Sequence, residues 1–334
     1  MGIYTAFKFG YAKEATFRTS VIDGVGDTAY LLGAFSEAAK HPSAVYDTIP
    51  IGPGYNSLEV SAGNMFESQA QMRGFYVLRM QNGIPCWMAM GKSVTAGTDP
   101  YTHTITPYTD GTLLPSFTIN IEEEGTATDE EFQWTGCKVD SLVLSHDAAT
   151  VNCLIAKMEW MAAKEADGIA LTTAPQLPAT ASTGPYMALE RKYDIAGANL
   201  SIDGLQRIDI IIRNGLEPLN AHTWDTGVYT GEWPYAFLEA NMKDYEIQML
   251  LHPSTVERAI WDDKRTHTNT KNYTFKWTRS ANDYIKVTAS KCHVLEHEKS
   301  TPRAGERMMV VVRMVPETMS IEVKDSIVGG RYGE

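Results

Sequence analysis

Gly24-Val-Gly-Asp-Thr-Ala29 fits the pattern G-x-G-x-x-G/A, and Asp47 follows downstream. In a dinucleotide fold such glycines admit a pyrophosphate to a helix N-terminus while the acid binds a ribose. In this chain Asp23 and Asp27 would set carboxylates beside that anion. The preceding strand is polar and no train of further βα units follows, so a glycine turn entering a helix is the stronger reading.

Glu122-Glu-Glu124 and Asp129-Glu-Glu131 crowd carboxylates around one turn, as a Ca²⁺ site would. Their spacing lacks the alternation of a calcium loop, which favours a solvated acidic hairpin tip. Cys292, His293, Glu296 and His297 are metal-ligand types, but on a strand Cys292 and His293 face opposite sides. Asp262 and Asp263 are adjacent on a helix and diverge, as on an exposed helix face. Cys86, Cys137, Cys153 and Cys292 form no CxxC pair and read as buried free thiols. No G-x-S-x-G, H-E-x-x-H or P-loop occurs. The expectation is a non-enzyme with no catalytic residues, no cofactor and no metal.

The elements that position these residues read as mainly β. Ile208, Ile210 and Ile212 alternate with Arg207, Asp209 and Arg213. Leu154, Ala156, Met158 and Trp160 alternate with Lys157 and Glu159, and Met308, Val310, Val312 and Met314 oppose Arg307 and Arg313. Period two with one polar face is the mark of an antiparallel sheet. Three helices are expected: Thr28 to Lys40, Gln69 to Met80, and Val256 to Lys264. The last opens on Ser254-Thr-Val-Glu257, a capping box in which Ser accepts from an amide and Glu reaches back.

At 334 residues the chain exceeds what one core usually holds, and Gly168 to Pro185 has three prolines and no charge. It reads as a linker, dividing the chain into 1–167 and 186–334. The two sides repeat weakly in order. Phe117 to Ile121, Phe132 to Leu144 and Val151 to Met161 correspond to Tyr273 to Trp277, Tyr284 to Leu295 and Met308 to Val315, each trio following a helix and a strand. Hydrophobic residues make up 43% and charged residues 21%, a globular balance. No apolar run suits a membrane helix and the start lacks a secretory pattern, so the chain is expected in a cytoplasm. The formal net charge of −12 argues against wrapping nucleic acid, though not against DNA sliding past.

Three segments now carry a resemblance. Tyr101-Thr-His-Thr-Ile-Thr-Pro107, Leu114-Pro-Ser-Phe-Thr-Ile-Asn120 and Gly136-Cys-Lys-Val-Asp-Ser-Leu-Val-Leu-Ser145 together resemble the phage tail tube (major tail) proteins of siphovirus type. Lys13-Glu-Ala-Thr-Phe17 is similar to their opening, departing at Arg18. Leu200-Ser-Ile-Asp-Gly204 with Ile208 to Asn214 is similar to their strand pair ending in Asn.

The resemblance implies two tandem antiparallel β-sandwich or barrel tube domains, each with a flanking helix and long loops. It implies a homotrimer per ring, rings that stack, and a tube in the virion tail through which the genome is ejected. Assembly would take place in the host cytoplasm, with tape-measure and tail-end proteins as partners and double-stranded DNA passing unbound. Asp140, Glu159, Asp209 and Glu246 are candidates for the lumen face, subject to strand register. Tyr101, Tyr108, Trp224, Tyr229 and Trp233, in the loops Lys92 to Leu114 and Glu217 to Trp233, are candidate inter-subunit anchors. The alternatives are a monomeric β-sandwich binding or adhesion module of a virion and, behind it, a nucleotide-binding enzyme.

Overall fold

The computed structural model describes residues 4–17, 30–31, 72–80, 82–107, 113–125, 130–167, 186, 188–195, 198–220, 224–225, 228–229, 234–238, 244–266, 271–300 and 308–333. The first half holds strands β1 (Tyr4–Lys13), β2 (Tyr30–Leu31) and β3 (Met72–Arg79), then helix α1 (Ile84–Met90). It continues through β4 (Gly91–Ala96), β5 (Tyr101–Pro107), β6 (Phe117–Gly125), β7 (Glu130–Asp147), β8 (Val151–Ala162) and β9 (Lys164–Asp167). The second half opens with β10 (Ala188–Ile195), β11 (Ala198–Ser201) and β12 (Leu205–Arg213). Four short strands follow, β13 (Glu217–Asn220), β14 (Trp224–Asp225), β15 (Val228–Tyr229) and β16 (Pro234–Leu238). It ends with β17 (Asp244–Leu251), α2 (Thr255–Thr266), β18 (Lys271–Ser280), β19 (Asp283–Lys299), β20 (Val310–Asp325) and a 3-10 turn (Gly329–Tyr332).

The fold is mainly β, as the alternation predicts. One sheet runs β11-β10-β18-β19-β20-β17-β12-β7-β6-β1-β2, with β3, β4, β5, β8 and β9 attached beside it. Every described pairing is antiparallel. The long strands β7 and β20 change neighbours along their length, whereas β19 keeps β20 throughout and pairs with β18 only as far as Cys292.

Strand pairing recurs between the halves. β6 lies between β1 and β7 as β18 lies between β10 and β19. β8 lies between β3 and β7 as β20 lies between β17 and β19. The irregularities recur too. A bulge separates Val139 from Ser141 opposite Trp160 and Glu159, and another separates Val294 from Glu296 opposite Met314 and Arg313. Gly136 and Lys291 both have positive φ (65° and 52°), and each precedes a buried cysteine, Cys137 and Cys292.

The halves also join directly. β12 pairs with β7 from Arg207 opposite Asp147 to Arg213 opposite Ser141, and β5 pairs with β20. A single apolar cluster includes Trp87, Trp134 and Trp160 of the first half and Trp277, Ile210 and Ile247 of the second.

Helix α2 forms where expected, and Ser254 Oγ accepts the Glu257 amide at 3.1 Å. The Glu257 carboxylate does not reach back; Oε1 lies 2.6 Å from His297 Nε2 and 3.2 Å from Lys299 Nζ. The expected helix Gln69 to Met80 is the strand β3 over its described residues. Gly74-Phe-Tyr-Val-Leu78 contains aromatic and β-branched residues, which favour strand, and its backbone pairs with β8. Among the described residues, the first-half helix is α1. All of its residues are buried, Pro85 stands in its first turn, and Gly91 ends it in the left-handed conformation. Of the expected helix Thr28 to Lys40, Tyr30–Leu31 is strand and the rest lies outside the described residues, as do the linker, Gly24 to Ala29 and Asp47. The expected loop Lys92 to Leu114 contains the hairpin β4–β5.

Candidate functional site

Strands β3, β8, β7, β12, β17, β20 and β19 stand side by side, in that order. One face of this run is the core, filled by Leu142, Leu144, Met158, Ile210, Ile247, Val312 and Met314. The other face carries polar side chains, and register fixes which ones meet. Glu159 is opposite Ser141, which is opposite Arg213. Asp209 is opposite Ser145 and Gln248, and Gln248 is opposite Arg313. Arg313 is in turn opposite Glu296. Glu159, Asp209 and Glu246, three of the four acids nominated from sequence, thus share one face.

Their carboxylates are tied down. Ser141 Oγ donates to Glu159 Oε2 at 3.4 Å, and Ser145 Oγ donates to Asp209 Oδ1 at 2.5 Å. Arg207 pairs with Asp209 at 2.8 Å. Glu246 is the centre of the face, with its side chain only 3% exposed. It accepts from Arg313 Nε at 2.6 Å, Gln248 Nε2 at 2.6 Å and Arg213 Nη1 at 3.0 Å. Burial pushes this carboxyl up, but the bonds from Gln248, Arg313 and Arg213 outweigh it and hold the group at about 2. The face is therefore a lattice of paired charge rather than a bare acidic wall. Alternation reveals the acids; the arginines that answer them, Arg213 and Arg313, become legible as partners only once the strands are in register.

Asp140 sits at the β7 bulge and does a different job. Its carbonyl accepts the Asn214 amide at 2.8 Å and its Oδ1 accepts the Leu216 amide at 2.9 Å. The buried Asn214 donates through Nδ2 to Val139 O at 2.7 Å and Ala89 O at 2.9 Å. Together they fasten the end of β12 to β7 and α1, which accounts for the terminal Asn of that strand pair.

Among the nominated anchors, Tyr101 lies in β5 opposite Asp325, half-buried. Trp224 is opposite Tyr229 in the short hairpin β14–β15. Tyr108 and Trp233 lie outside the described residues. The metal-ligand types diverge: His293 pairs with Glu317 at 3.2 Å, Glu296 with Arg313, Cys292 is buried, and His297 faces Glu257. On the β6–β7 hairpin Glu122 is opposite Glu131 and Glu123 opposite Glu130. Asp262 is exposed beside Arg265, whereas Asp263 is buried and pairs with Lys271, contrary to an exposed pair. All four cysteines are buried.

No family model matches the chain. No curated protein matches it. Among solved structures, a match is the SPP1 tail tube, determined by solid-state NMR and cryo-electron microscopy. It is 11% identical, covers 43% of this chain and 83% of that chain, and gives a TM-score of 0.28. A likeness of that degree fixes neither fold nor activity.

Proposed function

We propose that the chain is a self-assembling structural subunit of a virion tail tube, with two tandem tube units per chain and three chains per ring. The reading is supported by the segments Tyr101 to Pro107, Leu114 to Asn120 and Gly136 to Ser145, and by the recurrence of strand pairing across the two halves. The observation that carries it is an inequality between equivalent edges. In the first half, Ser141 to Asp147 of β7 receive β12. In the second half, β19 beyond Cys292 has β20 on one side and, among the described residues, no strand on the other. An open edge of this kind invites another strand, and a ring of copies closes it without leaving an edge to solvent.

In the ring, the face bearing Glu159, Asp209 and Glu246 lines the lumen, with Asp140 at its bulge. Paired charge gives passing DNA neither a basic surface to bind nor a strong repulsive field. Trp224 and Tyr229 serve contacts between rings, while tape-measure and tail-end proteins meet the assembled tube. Sedimentation velocity over a wide concentration range tests the reading: mass should step from the single chain to trimers and stacks. A monomer at every concentration and salt would favour the binding-module alternative.

A further inference from the structure

The turn Gly329–Tyr332 closes on itself, Arg331 N–H donating to Val328 O at 3.0 Å and Gly333 N–H to Gly330 O at 3.4 Å. The Tyr332 side chain reaches inward and is fully buried. Its hydroxyl donates to Asp325 Oδ2 at 2.8 Å and accepts the Gly83 amide at 3.1 Å. Its ring stacks on His103 with centroids 3.9 Å apart. His103, also fully buried, meets Asp325 Oδ1 through Nε2 at 3.1 Å and Thr95 Oγ1 through Nδ1 at 2.7 Å. Asp325 Oδ1 further accepts the Ile327 amide at 2.8 Å. Burial and the Asp325 charge push the Tyr332 phenol well above its ordinary value, so it stays a neutral donor.

These groups come from both halves. His103 and Thr95 belong to the β4–β5 hairpin and Gly83 to the turn before α1, whereas Asp325 ends β20. Two further ties reach β1: Tyr11 Oη donates to Arg331 O at 3.3 Å, and Lys13 Nζ donates to Gly333 O at 2.9 Å. Gly333 has φ +80°, and a Cβ there would stand 2.2 Å from Trp87 Cζ2, so the turn lies directly on the α1 tryptophan. Beneath it, Trp87 packs edge-on against Phe117 at 5.2 Å and Tyr11 against Phe117 at 6.3 Å.

We propose that the C-terminal turn is a releasable strap, and that His103, Asp325 and Tyr332 form the clasp holding α1 and the β4–β5 hairpin of the first half to β20 of the second. The turn adds no strand to the sheet, so it can open as a unit of its own while the sheet stays paired. Opening uncovers the Trp87–Phe117–Tyr11 site and loosens the β5 junction. The inference does not depend on tube formation. It gives His103, within the Tyr101 to Pro107 segment, a role between the halves.

Hydrogen exchange on the full-length chain, read by mass spectrometry, tests it. Tyr332→Phe removes only the hydroxyl that joins Asp325 to Gly83, and Gly333→Ala pushes on Trp87 without touching the clasp. Each should raise exchange about tenfold over residues 84–107 as well as the turn, because a lost bond to a charged group shifts a local opening by about that factor. Residues 271–299 should exchange as before. Unchanged exchange at 84–107, a change confined to 327–333, or a uniform rise over the whole chain would each overturn the strap.

Discussion

Glu246 shows what a single residue contributes. Its carboxyl sits at about 2 instead of the ordinary 4.5, so the folded state holds its proton less tightly than the unfolded chain does. That stabilisation is complete above about 4.5 and is lost as pH falls towards about 2. Arg213 and Arg313 are each more than a third exposed, which discounts the effect to on the order of 2 kcal/mol. Glu246→Gln should lose about that much at neutral pH and flatten the acid limb, as measured by urea unfolding over that interval. Sequence alone nominates Asp140, Glu159, Asp209 and Glu246 as polar-face candidates with register open; strand register puts Glu159, Asp209 and Glu246 on one face. Sequence did not mark Asp325 or Tyr332, because their partners, His103 and Gly83, are more than two hundred residues away.

Among the elements, α2 was legible because its signal is local: Ser254 caps the chain three residues before Glu257. Ser254→Ala should cost about 1 kcal/mol in thermal or urea unfolding. Gln69 to Met80 also satisfies a helical spacing, and the partner that makes Met72–Arg79 a strand, β8, lies far along the chain. Helix α1 escaped notice because it is apolar all round, giving no amphipathic period. The recurrence between halves makes a further prediction. Where the first half has Gly136 at positive φ the second has Lys291, held there at 52°. Lys291→Gly relieves that strain and gives up only an exposed ion pair to Glu317, so it should stabilise by about 1 kcal/mol in the same unfolding assay.

For the whole molecule, the proposed assembly places the joint between chains at the side of β19 that, among the described residues, carries no strand beyond Cys292. Ser300 N–H donates to Met309 O at 2.8 Å, so by alternation the Lys299 N–H points away from β20. Lys299→Pro removes that outward donor while sparing the β20 ladder, and the buried Glu257 keeps His297 Nε2 at 2.6 Å. The variant should keep its circular dichroism and melting behaviour yet require at least about tenfold higher concentration to assemble. Alternation in Phe117 to Met161 and Tyr273 to Val315 makes the mainly β character visible in sequence. The joint of β12 on β7 was hidden, because pairing between distant strands leaves no periodicity of its own. Electron microscopy of the purified chain at high concentration tests the tube most directly. The account predicts hollow filaments or rings with threefold symmetry, each chain contributing two similar lobes; particles that remain single, compact monomers under all conditions would contradict it.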